Sequence, residues 1–200
     1  MLALLLLAAD PETTAVDAEN AFRRAAQAEG QWTAFRKFAA EDAIVFTPQP
    51  EKAEEVLPTK NPPIAVQWWP AESYVACDGT AAVNTGPWIR PRGTGYFTTV
   101  WRRQPDGGWK WSLDQGDDLA TPRALPEKAS VRKASCRPIS EPTVDQIATP
   151  GDKSGAGSSA DGTLRWYWEV TAAGARRFDA WIWNGTTFVS VVSNQVAAPK

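Results

Sequence analysis

In a chain of 200 residues, long enough to bury a substantial core, 23 acidic and 21 basic side chains leave a net charge of −2. No basic run exceeds the Arg102-Arg103 and Arg176-Arg177 pairs, so the chain has no electrostatic footprint for a phosphate backbone, and no nucleic-acid partner is expected. Histidine is absent, which removes Ser-His-Asp and Cys-His catalysis, His-ligated zinc and imidazole proton shuttling.

The first nine residues are an apolar run that ends at Asp10-Pro11. It is too short to span a bilayer, so no stable membrane span is expected. It has the apolar stretch and small residues of a secretory signal without the basic start. Residues 1–10 are read as a signal remnant and the protein as periplasmic or secreted, against the alternatives of an apolar terminus packed on the domain and a cytoplasmic chain. Asp10-Pro11-Glu12 reads as a helix start, with the helix running to Glu29 and stopping at Gly30. Its apolar face is taken to be Val16, Phe22, Ala25 and Ala26, with Glu19, Arg23, Arg24 and Gln27 elsewhere. A second helix is expected over residues 31–40, where Trp32, Phe35 and Phe38 form one stripe that reads first as core.

Residues 43–47 read as a strand, residues 51–57 as a small helix ended by Pro58, and Asn61-Pro62-Pro63 as a rigid connector. Strands are expected over residues 64–69, 73–77 and 81–89, with a turn at Asp78-Gly79. A long hairpin over residues 95–114 follows, turning at Pro105-Asp106-Gly107-Gly108. Strict alternation in its second arm puts Trp109, Trp111 and Leu113 on one face and Lys110, Ser112 and Asp114 on the other.

Residues 121–162 are rich in Pro, Ser, Gly, Lys and Asp and read as a flexible loop or linker. Gly155-Ala-Gly-Ser-Ser lacks the ending of a phosphate-binding loop and belongs to that linker. Residues 163–200 read as a three-stranded β-meander with strands at 164–170, 177–183 and 186–192, the last two joined at Asn184-Gly185. Alone it is marginal, so it is expected to dock on the first domain. Fold class is α+β: N-terminal helices on a strongly curved, mainly antiparallel sheet over residues 11–120, plus the meander.

Trp-Arg-Arg before the turn, Asp106-Gly107, then Gly108-Trp-Lys-Trp111 and the closing Asp114 resemble the last two strands of the SnoaL-like branch of the nuclear transport factor 2-like superfamily. Phe38-Ala-Ala-Glu-Asp42-Ala-Ile-Val-Phe46 resembles the helix end and first strand of those domains, and Asn84-Thr-Gly-Pro-Trp88 a middle strand. The resemblance covers about residues 15–120 and implies a cone-like sheet closed by helices. The superfamily hosts isomerases, polyketide cyclases, dehydratases and binding modules, so the fold leaves the function open.

The steroid isomerases of the superfamily use a carboxylate just past the first strand and a Tyr on the first helix. Aligned through Asp42-Ala43, those positions fall on Thr47 and Arg23, which cannot do that chemistry. Asp114 is the remaining catalytic candidate, since a carboxylate beside tryptophans would have a raised pKa; its competing reading is an exposed strand-end acid. Asp114, Asp117 and Asp118 lack calcium-loop spacing, and no metal or cofactor is expected. Asp42 is expected to position the helix-to-strand turn. Eleven tryptophans are mostly core, and Trp68, Trp88, Tyr96, Trp101 and Trp111 are the expected wall of a pocket for a hydrophobic small molecule.

Cys77 and Cys136 are either a disulfide, closing a loop worth on the order of 4 kcal/mol, or two unrelated buried thiols. The leading expectation is a small-molecule-binding domain that is a monomer or weak homodimer. Its competitors are a cofactor-independent isomerase, cyclase or dehydratase using Asp114, and a dimerisation scaffold.

Overall fold

A computed structural model describes residues 14–140 and 152–199. The apolar run and the expected Asp10-Pro11 helix start lie outside those residues. Helix α1 spans Ala15–Glu29 behind Thr14, whose side chain accepts from the Asp17 N–H while the Asp17 side chain accepts from the Thr14 N–H. This reciprocal capping satisfies two N-terminal donors that the helix itself cannot. Gly30, at φ 102°, turns the chain directly into α2, Gln31–Phe38. The turn leaves no local cap, and the amides of Trp32 and Thr33 donate instead to Asn61 Oδ1 at 2.7 and 3.2 Å.

Strand β1 (Ala39–Phe46) follows without a loop, starting earlier than expected. Asp42 is therefore a strand residue, and it pairs with Arg102 rather than positioning a turn. Short β2 (Pro50–Lys52) and α3 (Ala53–Val56) replace the single small helix expected here. Strand β3 shrinks to Gln67–Trp68 because its approach is held by side chains: Gln31 accepts from the Val66 N–H and Gln27 donates to the Val66 carbonyl. Strands β4 (Glu72–Val75), β5 (Ala81–Arg90), β6 (Gly93–Arg103) and β7 (Trp109–Leu119) form a consecutive antiparallel run. Parallel pairing adds β1 beside β7 and β8 (Ser130–Lys133) beside β4, giving the order β2-β1-β7-β6-β5-β4-β8 with β3 on β5.

The C-terminal sheet has four strands where three are expected: β9 (Lys153–Ser158), β10 (Leu164–Val170), β11 (Arg176–Trp183) and β12 (Phe188–Val196), in the order β12-β11-β10-β9. Both β8 and β9 come from the segment whose composition reads as linker. The glycines that suggest flexibility in β9 instead fit beneath indoles. Gly155 and Gly157 lie opposite Trp168 and Trp166, and a Cβ at Gly157 would sit 2.4 Å from the Trp166 ring. The Asn184-Gly185 hairpin also differs from expectation. Trp183 pairs with Phe188, so the loop has four residues, and Asn184 Oδ1 accepts from the amides of Thr186 and Thr187.

Each face of the large, curved sheet is covered by a different layer. The helix-side cluster joins Phe22, Ala26 and Ala34 to Trp68, Phe97, Trp101 and Trp111. On the opposite side, Tyr74, Val83, Val100 and Leu113 pack against Leu164, Phe178, Ala180, Ile182 and Val192 of the small sheet. At one end a Cys77–Cys136 disulfide decides between the two cysteine readings. Beside it, Asp78 and Asp161 exchange bonds between their amides and carboxylates at 2.9 and 2.8 Å, tying the β4-β5 turn to the β9-β10 turn.

Candidate functional site

The β6-β7 ladder pairs Val100 with Leu113 and Trp101 with Trp111, leaving Ser112 as an extra residue. An inserted residue reverses which face each later side chain takes. Trp109 and Trp111 accordingly lie in the helix-side cluster, whereas Leu113 lies with the small sheet. This corrects the expected common face of Trp109, Trp111 and Leu113. It also carries Asp114 to the helix side, opposite Thr99, whose hydroxyl donates to Asp114 Oδ2 at 2.6 Å.

A second carboxylate stands on this face. Glu19 is completely buried, and it receives Trp68 Nε1 at 2.8 Å, Trp101 Nε1 at 2.6 Å and Asn84 Nδ2 at 3.2 Å. All three are N–H donors, a set suited to an ionised carboxylate. Burial nonetheless dominates and pushes the Glu19 carboxyl up to about 7, while the three hydrogen bonds oppose the rise. Asn84 is anchored in turn by its bond to the Ala15 carbonyl at 2.9 Å. The expected polar position of Glu19 is thus wrong: with Ala15, Phe22 and Ala26 it falls on the helical i, i+4, i+7, i+11 stripe.

Asp114 is raised to about 7 as well, chiefly by desolvation, with the charge of Glu19 raising it further and Thr99 and Arg176 acting the other way. It is half-buried, because its outer side borders a cavity; the surrounding protein still removes enough water to disfavour the charge. Among the described residues neither Glu19 nor Asp114 forms an ion pair with a lysine or arginine. Arg176 reaches Asp114 from the other face of the sheet, where its guanidinium bonds the Gly116 carbonyl at 2.8 Å.

The cavity holds about 300 Å³ between α1, α2 and the sheet. Phe22 and Phe35 contribute from the helices, Trp68 and Trp88 from β3 and β5, and Asp114 from β7. The Trp88 indole lies over Gly95, where a Cβ would approach the ring to 2.3 Å, and its Nε1 donates to the Tyr96 carbonyl at 3.0 Å. At the rim Arg90 pairs with Asp118 at 2.7 Å and stands 5.0 Å from the Trp88 ring centre.

Of the residues expected in the wall, Trp68, Trp88 and Tyr96 border the space, as does the catalytic candidate Asp114, and Trp101 and Trp111 do not. Those two are fully buried behind it, with indole N–H groups committed to Glu19 and to the Phe35 carbonyl. Tyr96 borders the cavity from β6. Its cross-strand partner is Asp117, and its ring lies under Arg123 at 4.2 Å, which itself reaches Thr85 on the side of the small sheet. Thr47 and Arg23 take no part in the cavity: Thr47 sits in a turn bonded to the Gln49 carbonyl, and Arg23 bonds Asn20. Asp117 and Asp118 border the rim, and no group of three or more metal-ligating side chains occurs among the described residues.

No family model matches the chain, and no curated protein matches it. The chain is similar to a solved structure of a nuclear transport factor 2 (NTF2-like) superfamily protein from Salmonella enterica subsp. enterica serovar Typhimurium str. LT2, at 16% identity and a TM-score of 0.40, over 56% of this chain and 93% of that one.

Proposed function

We propose that the protein is a small-molecule-binding domain of the nuclear transport factor 2-like superfamily, from its SnoaL-like branch, that takes a flat hydrophobic molecule into the cavity between its helices and sheet. The observation that carries this reading is an aromatic-lined space of about 300 Å³ with one carboxyl in its wall. That is the small end of the usual range for ligand sites, roughly 300–1,000 Å³. A scaffold role is disfavoured, since a sheet needed only for dimerisation would be packed solid on this side. The disulfide favours an oxidising compartment and therefore export to the periplasm or medium. The small sheet already covers the second face of the large one, which favours a monomer or weak homodimer.

A second reading, acid–base catalysis by Asp114 in a cofactor-independent isomerase, cyclase or dehydratase, is favoured by the place of this carboxyl in the cavity wall, where burial raises it to about 7. Neutral two- and three-ring compounds titrated against intrinsic tryptophan emission test both readings. Saturable quenching is expected, weakened by about 1–3 kcal/mol in Trp88→Ala. Asp114→Asn separates the readings: a binder keeps most of its affinity, whereas an enzyme loses turnover by orders of magnitude while affinity holds. Absence of any saturable response across the series counts against the cavity as a site.

A further inference from the structure

Buried charges in proteins are normally paired, because an uncompensated ion in a poorly solvated place is costly. Here two carboxylates occupy one face of the sheet without a cation. Glu19 receives only neutral N–H donors from Trp68, Trp101 and Asn84, and Asp114 receives only the Thr99 hydroxyl. Among the described residues the one basic side chain lining the cavity, Arg90, is held at the rim by Asp118. The walls are aromatic, and the face of an indole or phenyl ring attracts a cation electrostatically. An anionic ligand would meet two acids, and a neutral one would leave both carboxylates as they are.

We propose that the cavity binds a protonated amine carried on an apolar ring body, with the ammonium against the Asp114 carboxylate and the rings between Phe22, Phe35, Trp68 and Trp88. This proposal rests on the reading of the cavity as a small-molecule site and adds the charge of the ligand. The ammonium supplies the missing countercharge and donates to the acceptor sites of Asp114 that Thr99 leaves open. Glu19, behind Trp68 and Trp101, adds negative potential at Asp114. The ligand's arrival would lower the affinity of Asp114 for its proton, so binding and proton release are linked.

The charged groups around Asp114 define how pH enters. Glu19 from α1 raises its pKa and Arg176 from β11 lowers it. Arg90 from β5 is engaged by Asp118 on Asp114's own strand, Asp117 lies opposite Tyr96 near Arg176, and α2 presents the uncharged Gln31 and Phe35. An alkylammonium, with a lysine-like pKa of about 10.4, stays protonated throughout the useful range.

Isothermal titration calorimetry of the intact chain with 2-(2-naphthyl)ethylamine, its alcohol 2-(2-naphthyl)ethanol and 2-naphthylacetate tests the proposal. The amine is expected to bind at least tenfold tighter than the alcohol at about pH 8, and the ratio should shrink severalfold at about pH 5.5 as Asp114 takes up its proton. Asp114→Asn should bring the amine-to-alcohol ratio near one. Near pH 7, in two buffers of different ionisation enthalpy, amine binding should release protons and alcohol binding should not, a readout that needs no variant. If the alcohol or the acetate binds as tightly as the amine, the ligand is not a cation and the cavity reading survives. If none of the three binds at millimolar concentration, both this proposal and the small-molecule reading fall.

Discussion

Where the large sheet meets the small one, Val83, Val100 and Leu113 pack against Phe178, Ala180 and Ile182, all nearly inaccessible to water, and a disulfide fastens the end of that interface. On the opposite face the same strands, β5 to β7, carry Trp88, Phe97 and Asp114 around an unfilled space, with Glu19 buried beside it. One side is built like a core, with apolar atoms at close range; the other keeps a hollow and two groups that burial makes uncomfortable. The contrast ties stability to the first face and the proposed site to the second, since acids with strongly perturbed pKa values cluster where something other than packing selects them.

The most direct way to break that assignment is to truncate one aromatic on each face. Phe178→Ala should cost about 3–5 kcal/mol in urea denaturation, through lost burial and the cavity left behind. Trp88→Ala, at a wall that already borders open space, should cost well under half as much. Equal losses would show that the hollow face is as structural as the packed one. Next in size is the disulfide: Cys77 and Cys136 are separated by 59 positions, and cutting their link with Cys77→Ser plus Cys136→Ser should remove on the order of 4 kcal/mol, or roughly 10 °C in Tm. A thiol titration of the unreduced protein should read near zero.

The smallest effect sharpens the comparison by pH. Both Glu19, ordinarily 4.5, and Asp114, ordinarily 3.8, stand near 7 in the folded chain. A carboxyl whose pKa is raised by folding holds its proton better in the native state. Its contribution is therefore complete below its unfolded value and disappears as pH rises to about 7. For the fully buried Glu19 that loss is on the order of 3 kcal/mol. Stability should thus fall between about pH 4.5 and 8, and Glu19→Gln should flatten the fall. A variant whose stability follows pH as steeply as the parent would show that Glu19 does not titrate in that interval.

Much of the architecture is legible in residue order. The Asp106-Gly107 turn, the β-branched and aromatic arms around it and the Gly30 break between helices each encode local geometry, which sequence expresses directly. The candidate site is legible only in part, for reasons of distance. Glu19 looks solvent-facing because acids usually are, and its three N–H partners come from strands 49 to 82 positions away. Its place on the same stripe as Phe22 was the available signal. Trp101 and Trp111 share the composition of a pocket wall, yet the layer in front of them, Phe22 and Phe35, belongs to the helices. In β9 the glycines resemble a linker until Trp166 and Trp168 are set above them across the β9-β10 hairpin, a pairing that composition alone does not express.

Ser112, left out of the ladder, makes the site depend on pairing register. In the strand as written, odd-numbered positions 109 to 115 are all buried, so the alternation looks unbroken, although it changes sides at the extra residue. Loss of the single codon for Ser112 would keep Trp111 on Trp101, Leu113 on Val100 and Asp114 on the cavity side, because those pairs would then follow one another in regular alternation. Drawing Ser112 into the ladder opposite Val100 would instead carry Leu113 to the cavity and Asp114 into the seam against the small sheet. That slipped pairing would lodge an acid in hydrocarbon and turn a leucine toward the cavity. A slip of one position along β7, with no change of sequence, would exchange inside for outside.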